Sequence, residues 1–202
     1  MQIIDVTNDE SLIRKVAEVL IDGFSTSGVN PWKDLDSAIA EVREYLAEDR
    51  ISRAAIDDNG EVLGWISEFH DYAFVWELHP LVVRSDVQIW GVGTALVKNF
   101  EQAVNSRGGL TIQLGTDDEN ERTSIGGVDL YPNVLEKLSK IRNLRKHPFE
   151  FYQRLGYVVS GVIPDANGFG KPDILMSKRV WKLCLLPDLL ISSSGLTKTV
   201  IC

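Results

Sequence analysis

The chain reads as a mixed α/β (α+β) domain. Three observations predict it. Short β-branched runs alternate with amphipathic helical stripes, an Asn-Gly turn joins two of those runs, and Leu81-Val82-Val83 leads through a Gly-x-Gly loop straight into a helical pattern. With 202 residues, 44% hydrophobic and 25% charged, the chain is long enough to bury one substantial core, so a single catalytic-sized domain is expected.

Ile3 to Val6 reads as a strand, and Asn8 or Asp9 can cap a helix whose apolar face is Ile13, Val16, Ala17, Leu20 and Phe24. A loop with Gly28 and Pro31 follows. Leu35, Ile39, Val42 and Leu46 then recur at spacings of four, three and four, the stripe of a second helix. Ser52 to Ile56 and Val62 to Phe69 form a hairpin around Asp57-Asp58-Asn59-Gly60, whose Asn-Gly supplies the φ > 0 positions of a tight turn. Val75 to Arg84 is a strand, and Pro80, which cannot donate to a ladder, puts it at an edge or a bulge.

Val92, Ala95, Leu96, Phe100 and Ala103 carry a helix that Gly108-Gly109 stops, and Thr111 to Leu114 is the next strand. The stretch of about 119–147 reads as an insertion with a helix of its own, built on Val134, Leu135, Leu138, Ile141 and Leu144. Pro148 suits the first turn of a helix carrying Phe151 and Tyr152, and Tyr157 to Pro164 and Asp173 to Lys178 close the domain as strands. The domain therefore spans 1–182. Residues 183–202, with Leu183 to Ile191 and Ser192-Ser193-Ser194-Gly195, read as an appendage: an extra packed element, a homodimer contact or a tail.

Composition excludes several classes. A net charge of −8 argues against nucleic acid, whose phosphates it would repel, and favours a polycation. Met1-Gln2-Ile3-Ile4-Asp5 lacks the start of an export signal and no apolar run is long enough for a membrane span, so a cytoplasmic location is expected. Both cysteines, Cys184 and Cys202, lie in the final segment, which disfavours a thiol intermediate, and His70, His79 and His147 show no ligand spacing, so no metal is expected.

The loop Gln88 to Thr94 has the makings of a pyrophosphate cradle. Its backbone N–H groups and the positive end of the following helix can face an anion, and Gly91 and Gly93 remove side chains that would block approach. A tight strand-to-helix turn is the plainer reading of the same glycines.

Gln88-x-x-Gly91-x-Gly93, followed by Phe151-Tyr152-x-x-Leu155-Gly156-Tyr157, resembles the two best-defined motifs of the GCN5-related N-acetyltransferases (GNAT). Trp76-Glu77-Leu78-His79-Pro80-Leu81-Val82-Val83, Leu114-Gly115-Thr116-Asp117-Asp118-Glu119 and the turn from Asn167-Gly168 to Lys171-Pro172-Asp173 are similar to the aminoglycoside 6'-N-acetyltransferases within that superfamily. The resemblance implies a mostly antiparallel central sheet with splayed central strands flanked by helices, and acetyl-coenzyme A as co-substrate. It implies direct transfer to the 6'-amine of an aminoglycoside, that is, resistance by drug modification. Another polyamine, an amino sugar or a protein amine is the alternative acceptor, and a non-catalytic acyl-coenzyme A module is the alternative class.

On this resemblance the main chain of Leu81, Val82 and Val83 receives the pantetheine arm, one N–H serving as oxyanion donor, while Gln88, Ile89, Trp90, Gly91, Val92, Gly93 and Thr94 surround the pyrophosphate. The motif allows Gln or Arg at Gln88, so a cation is lost there, and Ile89 and Trp90 stand where small or basic residues are usual.

Tyr152 is the candidate acid for the departing thiolate, because a phenol of ordinary pKa, about 10, is nearly matched to an alkyl thiol. An aromatic beside Phe151 on an apolar helix face also reads as core. Asp117, Asp118 and Glu119 follow a strand at the end where the cleft should open and can hold ammonium groups, Asp117 being the favoured one; a run of acids also reads as a solvated turn. Glu77 and His79 alternate onto one strand face, where either can be a further substrate contact or a water-relayed base. Asp117, Glu77 and His79 all stand as candidates for the base.

Overall fold

In the computed structural model the described residues are 1–25, 32, 34–47 and 49–181, with main chain only at 70 and 71. The expected loop at Gly28 and Pro31, the 183–202 appendage and both cysteines lie outside them.

Seven strands form a single sheet in the order β1-β2-β3-β4-β5-β7-β6, where β1 is Gln2–Asp5, β2 Arg53–Ile56, β3 Val62–Tyr72, β4 Val75–Val83, β5 Thr111–Asp117, β6 Val158–Ile163 and β7 Asp173–Arg179. Every neighbouring pair is antiparallel except β4 with β5. The helices are α1 (Glu10–Ser25), α2 (Leu35–Glu44), α3 (Val92–Ser106), α4 (Val134–Leu138) and α5 (Phe149–Arg154). Among the described residues no helix is long and apolar enough to cross a membrane.

Local chemistry fixes the helix ends. The Asp9 carboxylate accepts from the Leu12 N–H at 2.8 Å, and Asp34 and Ser37 form a reciprocal capping box at the start of α2. α1 buries Ile13, Val16, Ala17, Val19 and Leu20, and with α2 it covers one face of the sheet around Trp65 and Val82. α3 buries Leu96, Val97, Phe100 and Val104 on the opposite face, against Ile66, Ile112 and Ile174. Two cores, one on each side of the sheet, hold the strands in fixed register.

The hairpin between β2 and β3 forms as expected, but only Gly60 takes a positive φ, +78°; Asn59 does not. The Asp57 carboxylate accepts from the N–H groups of both Asn59 and Glu61 at 2.9 Å, which stabilises a longer loop than a two-residue turn.

The insertion is less helical than its apolar spacing predicts. α4 has five residues, none of them buried, and Leu135 and Leu144 are exposed. Main-chain bonds tie this segment down instead: Ser124 N–H to Arg142 O at 2.9 Å and Leu144 N–H to Arg122 O at 2.8 Å. Ile125 and Leu130, rather than the predicted stripe, supply its fully buried anchors.

β4 is central rather than an edge strand, and the bulge expected at Pro80 is present. The β3–β4 register passes from Ile66↔Leu81 to Glu68↔Leu78, so three steps on β4 oppose two on β3 across the cis His79–Pro80 bond. β4 pairs with β5 only from Val75 to Glu77. Beyond Glu77 the two strands part, and the sheet opens into a wedge at its centre.

Candidate active site

The wedge and the start of α3 make one groove. It has a volume of about 290 Å³ and is lined by Leu81, Val83, Gln88, Gly91, Gly93, Thr94, Pro148, Phe151 and Tyr152. Two motifs some sixty positions apart in the chain thus meet on the two sides of one cleft.

Gly91 caps α3 with φ +84°, a conformation that side-chain-bearing residues disfavour, and a Cβ built there would meet nothing within 4 Å. The space above the helix start is therefore open. Ala95 N–H donates to Gly91 O at 3.0 Å and closes the first turn, so the N–H groups of Val92, Gly93 and Thr94 have no acceptor inside the helix. These amides, at the positive end of a fifteen-residue helix, suit a diphosphate. Gln88 Nε2 donates to Val83 O at 3.3 Å, bracing the loop against the strand end.

The structure narrows the predicted contact set. Arg84 N–H donates to Leu63 O at 2.9 Å, so by antiparallel alternation Val82 also turns its N–H and C=O toward β3, while Leu81 and Val83 direct theirs into the wedge. Val82 is removed from the expected trio because its backbone is engaged in the sheet and its side chain is buried on the α1 side. The Val92 side chain is likewise buried in the core, leaving only its N–H for the groove. Ile89 and Trp90 project into solvent with 92% and 73% of their surface exposed, outside the groove lining.

Tyr152 lies on the groove wall, 8% exposed, with its ring edge-on to Phe151 and Tyr157. Its hydroxyl has no hydrogen-bond partner among the described residues. Burial pushes its pKa above the ordinary phenol value, so it is a weaker acid than the near-match to a thiol that the sequence predicts. It is core-packed and groove-facing at once, a neutral phenol with an uncommitted proton.

Beyond the wedge, acids converge. Asp117, the last residue of β5, receives the Asn167 side-chain amide on its carboxylate and pairs across the ladder with Asp173 at the start of β7. Glu77 accepts from Gln113 Nε2 at 3.1 Å. Burial, then the charge of Asp117, raises the Asp173 carboxyl to about 6, with Glu77 adding to the effect and a hydrogen bond from the Thr116 backbone opposing it. Oδ1 of Asp173 is buried and without a hydrogen-bond partner. His79 sits beside Glu77 and is reached by the field of Asp117; its partial removal from water lowers its pKa despite those acids.

The other two predicted acids do different work. Asp118 is 1% exposed, and its carboxylate accepts from Arg122 N–H (2.6 Å), Thr123 N–H (2.9 Å) and the Thr123 hydroxyl (2.7 Å), so it organises the insertion and does not face the cleft. Glu119 is directed to Lys171 at 3.9 Å. Sequence alone does not single out Tyr45, whose hydroxyl lies 2.8 Å from His79 Nδ1, or Asp173 as site residues; both are brought in by pairings distant in the chain.

Residues 15–131 match the model of the acetyltransferase (GNAT) family. The chain belongs to the GNAT acetyltransferases. Among solved structures, an aminoglycoside 6'-N-acetyltransferase complexed with coenzyme A is 40% identical, with 91% of this chain and 99% of that one covered and a TM-score of 0.82. The aminoglycoside 6'-N-acetyltransferase from Enterococcus faecium is 41% identical over the same shares, TM-score 0.81, and an aminoglycoside 6'-acetyltransferase type Ii is 34% identical, again 91% and 99% covered, TM-score 0.67. A comparison with curated proteins yields no match. This GNAT enzyme uses acetyl-coenzyme A to acetylate an amine, and the open α3 amides and the parted β4 edge fit that co-substrate.

Proposed function

We infer that the acceptor is the 6'-amine of an aminoglycoside, and that the enzyme inactivates the drug by acetylating it. The carrying observation is the convergence of Glu77, Asp117, Asp173 and His79 at the mouth of the wedge, where several acids in one cleft suit an acceptor with several ammonium groups. The similarity to aminoglycoside 6'-N-acetyltransferases at 40% and 41% identity supports the same reading. The net charge of −8 adds long-range attraction for a polycation and disfavours nucleic acid.

Acetyl-coenzyme A supplies, when bound, an acetyl group activated as a thioester. The amides of Val92, Gly93 and Thr94 bind and orient anionic groups at one end of the groove. Leu81 and Val83 offer main-chain N–H and C=O groups along its length, one N–H placed to stabilise a developing oxyanion. Tyr152 holds a proton over the same groove for the leaving sulfur. Asp117 and Glu77 hold the ammonium groups of the acceptor, and His79 or one of these carboxylates takes the proton that the amine must lose before it can attack.

Coenzyme A release measured with kanamycin, tobramycin, spermidine and amine-bearing peptides tests this directly. Turnover with the two drugs at least tenfold above the rest is expected; preference for spermidine or a peptide would replace the acceptor, and coenzyme binding without any turnover would replace the enzyme by a binding module.

A further inference from the structure

His147 is buried, 2% exposed, and each of its hydrogen-bonding groups is engaged. Its main chain exchanges two bonds with the Asn143 side chain: His147 N–H donates to Oδ1 at 2.8 Å, and Nδ2 donates to His147 O at 3.0 Å. The ring reaches two other elements. Phe149 N–H, the first amide of α5, donates to Nδ1 at 3.2 Å, and Nε2 lies 3.1 Å from Asp117 O at the end of β5.

Those partners fix the ring proton. A main-chain N–H can only donate and a carbonyl can only accept, so Nδ1 holds a lone pair and Nε2 holds the hydrogen. The other tautomer, or a charged ring, would set N–H against N–H at Phe149. Burial keeps the ring neutral by lowering its pKa, against the opposing effects of the bond to Asp117 O and the charge of Asp118.

The carbonyl that His147 holds is one the parted sheet leaves over. Asp118 N–H donates to Pro172 O on the β7 side at 2.9 Å, so Asp117 O, across the same trans peptide, points the other way, toward the wedge. β4 last pairs with β5 at Glu77↔Gln113 and offers no strand N–H beyond it. His147 Nε2–H takes that place. The next residue, Pro148, lines the groove, as do Phe151 and Tyr152 further along α5. One imidazole therefore joins the strand that carries Asp117 to the helix that carries Tyr152.

We propose that His147 is a positioning residue for acetyl transfer: as the neutral Nε2–H tautomer it ties α5 to the end of β5 and so fixes Tyr152 over the wedge for proton transfer to the leaving sulfur. This rests on Tyr152 as the acid. His147 lies outside the groove lining and both its ring nitrogens are committed, so it acts through the placement of its neighbours.

Asparagine and glutamine divide the two functions of the ring. An asparagine side chain puts its oxygen near the position of Nδ1 and can still accept from Phe149 N–H, whereas a glutamine side chain puts an amide N–H near Nε2 and can still donate to Asp117 O. Each variant gives up one buried hydrogen bond. A role in stability alone would therefore lower their melting temperatures alike and leave their kcat values equal.

Two-bond ¹H–¹⁵N correlation spectra of the imidazoles read the tautomer of the wild type at pH 7.5, roughly one unit above the ordinary histidine pKa, with His147→Gln assigning the signals. Nε2 should be protonated and Nδ1 not. In steady-state kinetics with whichever acceptor of the panel above reacts fastest, His147→Asn should lose about tenfold in kcat and His147→Gln should stay within about threefold of the wild type, with the KM for acetyl-coenzyme A unchanged in both. On a Tyr152→Phe background the loss caused by His147→Asn should largely disappear, since no hydroxyl is left to misplace. A ring protonated on Nδ1, or equal kcat in the Asn and Gln variants, would overturn the role of His147 alone. A Tyr152→Phe enzyme with full kcat would instead discard the acid, and the role of His147 with it.

Discussion

Asp173 faces Asp117 directly across the β5–β7 ladder, two carboxylates on neighbouring strands at the cleft mouth, with one oxygen of Asp173 buried and without a hydrogen bond. Burial and the charge of Asp117 hold Asp173 near 6, above its ordinary 3.8. Between these values the folded protein retains a proton that the unfolded chain releases, so stability falls as pH rises from about 4 to about 6 and is level beyond. Asp173→Asn removes that dependence. Above pH 6 the variant should be more stable by on the order of 1 to 3 kcal/mol, measured by urea unfolding across pH, while the KM for a polycationic acceptor rises.

Asp118→Ala tests the separation of roles within the acidic run. Three donors lose their buried acceptor, each at about 1 kcal/mol or more, and the melting temperature should fall by several degrees. Asp117→Asn, at an exposed position, should leave the melting temperature nearly unchanged and raise the KM of the amine instead. Thermal scans and amine titrations on both variants separate scaffold from contact.

Tyr152→Phe keeps the ring edges against Phe151 and Tyr157 and deletes only a hydroxyl without a partner. Stability should be unchanged or slightly higher. If that hydroxyl protonates the leaving sulfur, kcat should drop about 10²-fold with coenzyme A affinity intact, as steady-state kinetics paired with calorimetry would show.

Gly91→Ala probes the cradle by conformation alone, since the added methyl meets no atom. Holding alanine at φ +84° costs about 1 kcal/mol, so the loop should relax and coenzyme A should bind roughly five- to tenfold more weakly in a calorimetric titration.

Much of this fold is legible along the chain because its signals are local. The Asp9 and Asp34 caps, the hairpin closed by Gly60, and the strand-loop-helix unit around Gly91 each depend on residues within a few positions of one another. Pro80 marks a bulge correctly, yet whether its strand is central or at an edge depends on β5, which arrives some thirty positions later. Val82 looks the same as Leu81 and Val83 in sequence; only the ladder with β3 decides which of them faces the wedge. The apolar spacing after Val134 overstates a helix because Leu135 and Leu144 have no core to face. Tyr45 and Asp173 acquire their site positions through contacts 34 residues away in the chain and through a strand register, neither of which a local pattern encodes.

The account turns on where the main chain meets the co-substrate, and amide-resolved ¹H–¹⁵N spectra during an acetyl-coenzyme A titration read this most directly. Saturable shifts should concentrate at the N–H groups of Leu81, Val83, Val92, Gly93 and Thr94 and be small at Val82, whose N–H is engaged with β3. No saturable shift, or shifts centred away from the wedge and the start of α3, would contradict it.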